Sequence, residues 1–259
     1  MRPSRPLPTN RWTPRSSHRP GSGRTCPVGL EDAATRLSAG SNDPPRYFRS
    51  SALTALRETP ARVVVLASGT GSLLQSLIAA TATENYPARI VAVGVDRDCD
   101  AVRRADDAAI PHFRIALRDF ADRSAWDHAL TDAASSFEPD LVVTAGFMKI
   151  LGPQFLGAYT GRIVNTHPAL LPSFPGAHAV RDALDHGVKL TGSTVHLVDS
   201  GVDTGPILAQ EAVPVLDGDD ESALHERIKT VERRLLVDVI AAVAAKGVTS
   251  DGRKAQIIR

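Results

Sequence analysis

Cysteine is nearly absent: Cys26 and Cys99 are the two among 259 residues. A pair of isolated cysteines can build neither a disulfide framework nor a zinc ligand set. No apolar run approaches the roughly 20 residues that a bilayer crossing requires, which leaves no membrane partner to expect. The start, Met1-Arg2-Pro3-Ser4-Arg5-Pro6, lacks the apolar core of a secretory signal. Net charge is only +1, and no internal repeat is found. These absences point to a soluble protein of a reducing, cytoplasmic setting.

The charge that is present lies unevenly. Residues 1–60 hold ten Arg, no Lys and four acidic residues, which leaves 20 basic and 25 acidic residues for positions 61–259. The latter part is mildly acidic and has no basic face suited to a nucleic-acid backbone. Residues 1–60 are rich in Arg, Pro and Ser and carry no sustained apolar period, so they read as a disordered extension. Residues 61–259 read as one domain.

Within that domain strands alternate with helices. Arg62-Val63-Val64-Val65-Leu66-Ala67 is a β-branched run of the kind buried on both faces of a parallel sheet. A glycine turn opens a helix from about Ser72, and Arg89 to Val95 repeats the strand signal. The pattern continues with a helix over Cys99 to Ala109, a strand over His112 to Ala116, a helix over Arg123 to Phe137 and a strand over Asp140 to Gly146. Gly161 to Val164 is a further strand and His178 to His186 a helix. Gly192 to Val198 and Pro206 to Val215 read as an antiparallel or mixed pair before a long helix over Glu221 to Lys246. The fold class is therefore α/β: an open, mostly parallel twisted sheet of about seven strands with helices on both faces, Rossmann-like in its N-terminal half. In such sheets ligands sit beyond the carboxyl ends of the strands.

Three segments at those ends carry groups suited to chemistry. Asn165 and His167 are two apart, so in extended chain both side chains point to one side. A neutral hydrogen-bond donor then stands beside a group that moves a proton near neutral pH. Ser68-Gly69-Thr70-Gly71-Ser72-Leu73 turns tightly into a helix start, a place that favours an anion of phosphate size. Leu74 stands where a dinucleotide fingerprint has its third glycine, so the turn matches that motif incompletely, with Asp96 as the one imitation of its ribose-binding acid. Asp199-Ser200-Gly201-Val202-Asp203-Thr204-Gly205-Pro206 is a polar loop explained by turn chemistry, yet its carboxylates can reach His167 and favour the imidazolium. His112, His128, His186 and His225 are read as structural.

Asn165-Thr166-His167-Pro168-Ala169-Leu170-Leu171-Pro172, Pro175-Gly176-Ala177-His178, Asp199 to Pro206 and Ala145 to Leu151 together resemble the phosphoribosylglycinamide formyltransferase family, over Arg62 to about Gly247. The resemblance implies transfer of a formyl group from 10-formyltetrahydrofolate, a co-substrate, to the amine of phosphoribosylglycinamide in purine synthesis, without a metal. It implies a catalytic trio of Asn165, His167 and Asp203. Gly71, Ser72 and Leu73 match the substrate's phosphate site, and Glu232 an acid that contacts its ribose. Arg123, Met148, Lys149, Ile150, Leu151, Asn165 and the loop Asp199, Ser200, Gly201, Val202 and Asp203 match the folate site. Leu73 stands where Asn is usual, so of that residue only the backbone amide can serve the phosphate; Thr70 likewise stands where Asn is common, and Val180 where a second His can occur. A homodimer is left open.

Relatives that share the Asn-x-His and Asp groups are the alternatives. A methionyl-tRNA formyltransferase needs a further C-terminal domain and a basic tRNA surface, and the chain ends soon after its last helix. A formyltetrahydrofolate hydrolase carries a folded N-terminal domain, which residues 1–60 do not resemble. A nicotinamide-binding Rossmann protein is the distant alternative, set against by Leu74, and a non-catalytic nucleotide sensor is set against by the trio itself.

Overall fold

The computed structural model describes residues 60–258, so the extension assigned to residues 1–60 lies, but for Pro60, outside the described residues. The valine-rich run forms β1 (Ala61–Ala67), in which Val63 to Ala67 are at most 1% exposed. Its side chains alternate between two cores: Val63 and Val65 enter one, Val64 and Leu66 the other. That is the period of a strand covered on both faces. Then follow α1 (Ser72–Thr81), β2 (Ala88–Val95), α2 (Asp100–Asp107), β3 (His112–Arg114), α3 (Arg123–Ser135) and β4 (Leu141–Thr144). After α4 (Pro153–Ala158), β5 (Ile163–His167) and α5 (Ala179–Asp185) come β6 (Leu190–Leu197), β7 (Ile207–Pro214) and α6 (Glu221–Lys246). A hairpin of β8 (Val248–Ser250) and β9 (Ala255–Ile257) closes the described chain.

Seven strands form one sheet in the order β3-β2-β1-β4-β5-β6-β7. β1 to β5 pair in parallel, while β6 runs antiparallel to β5 and β7 antiparallel to β6. One face is covered by α1, α2 and α6, whose Leu74, Leu77, Ala101, Leu236 and Ile240 share a core with Val63 and Val65. The other is covered by α3 and α4, through Trp126, Leu130 and Phe155. The strand order turns back at β1 and β4, which opens a crevice at their carboxyl ends.

Several boundaries differ from the expected ones, for local reasons. The strand expected to reach Gly146 ends at Thr144, because Gly146 turns into the left-handed region (φ 72) and its carbonyl accepts the Ser68 N–H at 3.2 Å. The strand expected over His112 to Ala116 stops at Arg114 and passes into a 3₁₀ turn, Leu117–Asp119. The helix α4 was not expected: its six residues are too few to show a period. It starts where the Asp127 carboxylate of α3 accepts the Gln154 N–H at 2.8 Å and the Phe155 N–H at 3.3 Å.

Candidate active site

A cleft of about 470 Å³ opens beyond the ends of β1, β4 and β5, within the size of small-molecule sites. At one end Gly71 caps α1 with φ 68, and a Cβ there would lie 3.0 Å from the Ala101 Cα, so glycine is required twice over. Arg104 holds this turn from outside, donating to the Thr70 carbonyl at 2.7 Å and to Gln75 at 2.9 Å. Ser72 and Leu73 also line the cleft, where the first amides of a helix lack intrahelical partners. Leu73 is only 8% exposed and its side chain belongs to the core, consistent with a role for its amide alone.

At the other end β5 delivers Asn165 and His167 on the side facing the cleft, as their spacing requires. Asn165 is oriented by two neighbours. The Thr144 hydroxyl donates to its Oδ1 at 2.6 Å, and its Nδ2 stands 3.1 Å from His196 Nε2. His196 lies opposite Asn165 on β6 and donates from Nδ1 to the Leu197 carbonyl at 2.9 Å. Burial holds its pKa below the ordinary value, against the pull of that carbonyl and of Asp203. The ring is thus neutral, and Nε2 accepts from Asn165. The amide is fixed, with one N–H left to meet a ligand.

His167 is also flanked. Its Nε2 lies 2.7 Å from the Phe174 carbonyl and its Nδ1 3.3 Å from Asp203 Oδ2. The ring can donate to both only as the imidazolium, the form able to hand over a proton. Asp203 is held in turn by the Gly176 N–H at 2.8 Å and stands 3.7 Å from His196. Its backbone adopts the left-handed region (φ 54), a conformation that costs most residues but that Asp tolerates. The next turn is equally tight, for a Cβ on Gly205 would meet the Leu197 carbonyl at 1.8 Å. Thr194 fixes the chain that follows His167, donating to the Ala169 carbonyl at 2.6 Å and accepting the Leu171 N–H at 3.1 Å.

Met148, Lys149, Ile150 and Leu151 line the opposite wall with Asp199, Gly201 and Val202. Met148 is 69% exposed and Ile150 62%, an apolar rim suited to an aromatic ligand. Lys149 turns away from it, with Nζ 3.5 Å from buried Asp96, and Asp96 also receives Arg97 at 2.8 Å. Asp96 is therefore an ion-paired anchor and does not imitate a ribose acid. Asp199 is occupied locally, accepting from the Gly201 N–H and the Thr204 hydroxyl at 3.0 and 2.7 Å. Ser200 and Arg123 do not line the cleft. Arg123 donates to the Ile150 carbonyl from outside and lies over the Trp126 ring at 5.4 Å.

Glu232, from α6, reaches the cleft floor and accepts the Thr166 hydroxyl at 2.6 Å. Burial raises its pKa, which that hydrogen bond and the Lys229 and Arg233 charges only partly offset. His225, expected to be structural, lines the cleft as well, one turn before Lys229 on α6. His196 was missed because it reads as one more residue of an alternating strand. Among the described residues no group of three His, Cys, Asp or Glu able to hold a metal ion occurs, and no helix is long and apolar enough to cross a membrane.

The formyl transferase family model matches residues 61–240. The chain belongs to the formyl transferase family. As a formyl transferase it is similar to phosphoribosylglycinamide formyltransferase of Mycobacterium tuberculosis, with 65% identity over 200 residues, covering 77% of this chain and 93% of the relative. Glycinamide ribonucleotide transformylase 1 of Symbiobacterium toebii is a solved formyl transferase of the same architecture: TM-score 0.75, 39% identity, 77% of this chain and 94% of that one. A formyltetrahydrofolate deformylase of Pseudomonas syringae shares the fold at 27% identity and TM-score 0.72, covering 77% of this chain and 66% of that one.

Proposed function

We propose that the chain transfers the formyl group of 10-formyltetrahydrofolate to the primary amine of phosphoribosylglycinamide, yielding formylglycinamide ribonucleotide and tetrahydrofolate in cytoplasmic purine synthesis. The observation that carries this reading is the pairing of an oriented Asn165 amide with His167 and Asp203 between an anion-favouring helix start and an apolar rim. The phosphate sits at Gly71, Ser72 and the Leu73 amide, with the ribose toward Glu232. The folate lies against Met148 to Leu151 and the Asp199 to Asp203 loop, with Arg123 bracing that wall.

In the reaction the amine nitrogen bonds to the formyl carbon, and the carbonyl becomes an oxyanion. Asn165 Nδ2 donates to it, and His167 joins as the imidazolium once its Nε2–H exchanges the Phe174 carbonyl for the oxyanion while Nδ1–H stays on Asp203; one such donor contributes about 2.7–4 kcal/mol to the transition state. The amine's surplus proton leaves by way of water toward Asp203. The bond from carbon to the folate N10 then breaks as that nitrogen takes a proton. Proton transfer by positioned side chains supplies about 10²–10⁴ in rate.

The test is an absorbance assay of folate deformylation with and without the nucleotide. Folate consumption that depends on phosphoribosylglycinamide is expected. Consumption at an equal rate without it would assign the chain to the deformylases.

A further inference from the structure

The wall formed by Met148 to Leu151 is pinned at both ends by carboxylates from outside the cleft. At the far end Asp127 caps α4, and Gly152 packs so closely on it that a Cβ would lie 2.2 Å from Oδ2. At the near end stands Asp96, just beyond β2, 4% exposed and not among the residues lining the cleft. The Ser68 hydroxyl, at the end of β1, accepts the Met148 N–H at 2.9 Å, and Lys149 Nζ lies 3.5 Å from the Asp96 carboxylate. Two consecutive residues of the wall are therefore tied down, Met148 by its backbone to Ser68 and Lys149 by its side chain to the buried Asp96. Met148 and Ile150, between these ties, line the cleft.

We propose that Asp96 is a positioning residue for the folate, acting through Lys149 on the Met148 to Leu151 wall. The proposal rests on the reading of that wall as the folate side of the cleft. The anionic state it needs is maintained: burial works against the charge, but hydrogen bonds from Arg97 and Ser68 and the charges of Arg97 and Lys149 outweigh it, so the pKa stays below the ordinary carboxylate value. The nucleotide end is held by other groups, Gly71, Arg104 and Glu232, so the effect is confined to one substrate.

The experiment compares the full chain with Asp96→Asn and Asp96→Ala. Tetrahydrofolate binding is read directly by titration calorimetry, and KM for each substrate by turnover. In Asp96→Ala the folate constants should weaken by about tenfold, the loss that accompanies about 1.4 kcal/mol. Asp96→Asn keeps an acceptor for Lys149 and Arg97 and loses only the charge, so it should fall between that variant and the parent. The nucleotide KM should stay within about twofold in both, since its contacts are untouched. Should Asp96→Ala fail to fold, Lys149→Met cuts the same tie from the other side and should weaken folate alone. Folate binding equal to the parent's in Asp96→Asn and Lys149→Met overturns the proposal, as does weakening of both substrates in step. An inactive parent that still binds tetrahydrofolate would count against the formyl-transfer reading and leave the binding comparison intact.

Discussion

Two strands of equal depth do different work. In β1, Val63 to Ala67 are apolar and at most 1% exposed. In β6, Thr191, Ser193, Thr194 and His196 are at most 2% exposed, so half of the strand is polar at the same burial. A buried polar group costs free energy unless it is paired. Thr194 and His196 are paired, and their partners are the chain after His167 and the Asn165 amide. The Thr191 and Ser193 hydroxyls find no hydrogen-bond partner among the described residues. The parallel end of the sheet thus uses burial for stability, and the antiparallel end uses it to orient the groups proposed to react. The proposed catalytic groups meet at the joint: Asn165 and His167 come from the last parallel strand, Asp203 from the loop after β6.

If that division is right, substitutions in the two regions should separate stability from turnover. Leu66→Ala removes a fully buried side chain that packs between the sheet and its helices, where such truncations cost about 2–5 kcal/mol. A thermal melt should show a large fall in midpoint, and the folded fraction should keep the parent's kcat. Loss of kcat without loss of midpoint would break the comparison at its stable end.

Asn165→Ala should do the opposite. Removal of an oxyanion donor lowers kcat by about 10²–10³. The half-buried site admits water to the orphaned Thr144 and His196 groups, so the midpoint should move much less than in Leu66→Ala. Steady-state kinetics and a melt on the same sample decide this.

The smallest effect concerns Glu232. Its folded pKa is raised, so between the ordinary value and the raised one the native state binds more protons than the unfolded chain. Stability from this group is therefore highest at acid pH and declines as pH rises through that window. Glu232→Gln keeps an acceptor for Thr166 and cannot ionise, so its midpoint should exceed the parent's at neutral pH, with the gap closing below the ordinary value. Its nucleotide KM should rise. A gap that widens toward acid pH would show that the sign is wrong.

What could be read from the sequence follows a physical line. The β1 run, the Asn165 and His167 alternation and the Gly71 turn were legible because each is local: a period of two, or a residue type that one backbone conformation demands. The seven-stranded sheet followed from the alternation of such elements. The loop of Asp203 could be read as able to reach His167, but the choice of Asp203 as a catalytic group, and Glu232 altogether, came from the family resemblance, since a carboxylate on a loop or on a helix carries no local mark of what it will face. His196 stayed hidden because its role depends on β6 pairing opposite Asn165, a contact 31 residues apart. The Asp96 tie to Lys149 is equally nonlocal. The helix α4 and the hairpin of β8 and β9 were too short to show a period.

The account stands or falls on the joint between the two ends of the sheet, and Asp203→Asn tests it most directly. Asn tolerates the left-handed backbone there and still accepts the Gly176 N–H, so the loop keeps its shape. Only the charge 3.3 Å from His167 is lost. Turnover should fall by about 10²-fold or more, while the nucleotide KM stays within about twofold, because the lost interaction belongs to the transition state. A variant that binds both substrates and turns over at nearly the parent's rate would make Asp203 a turn residue and contradict the account.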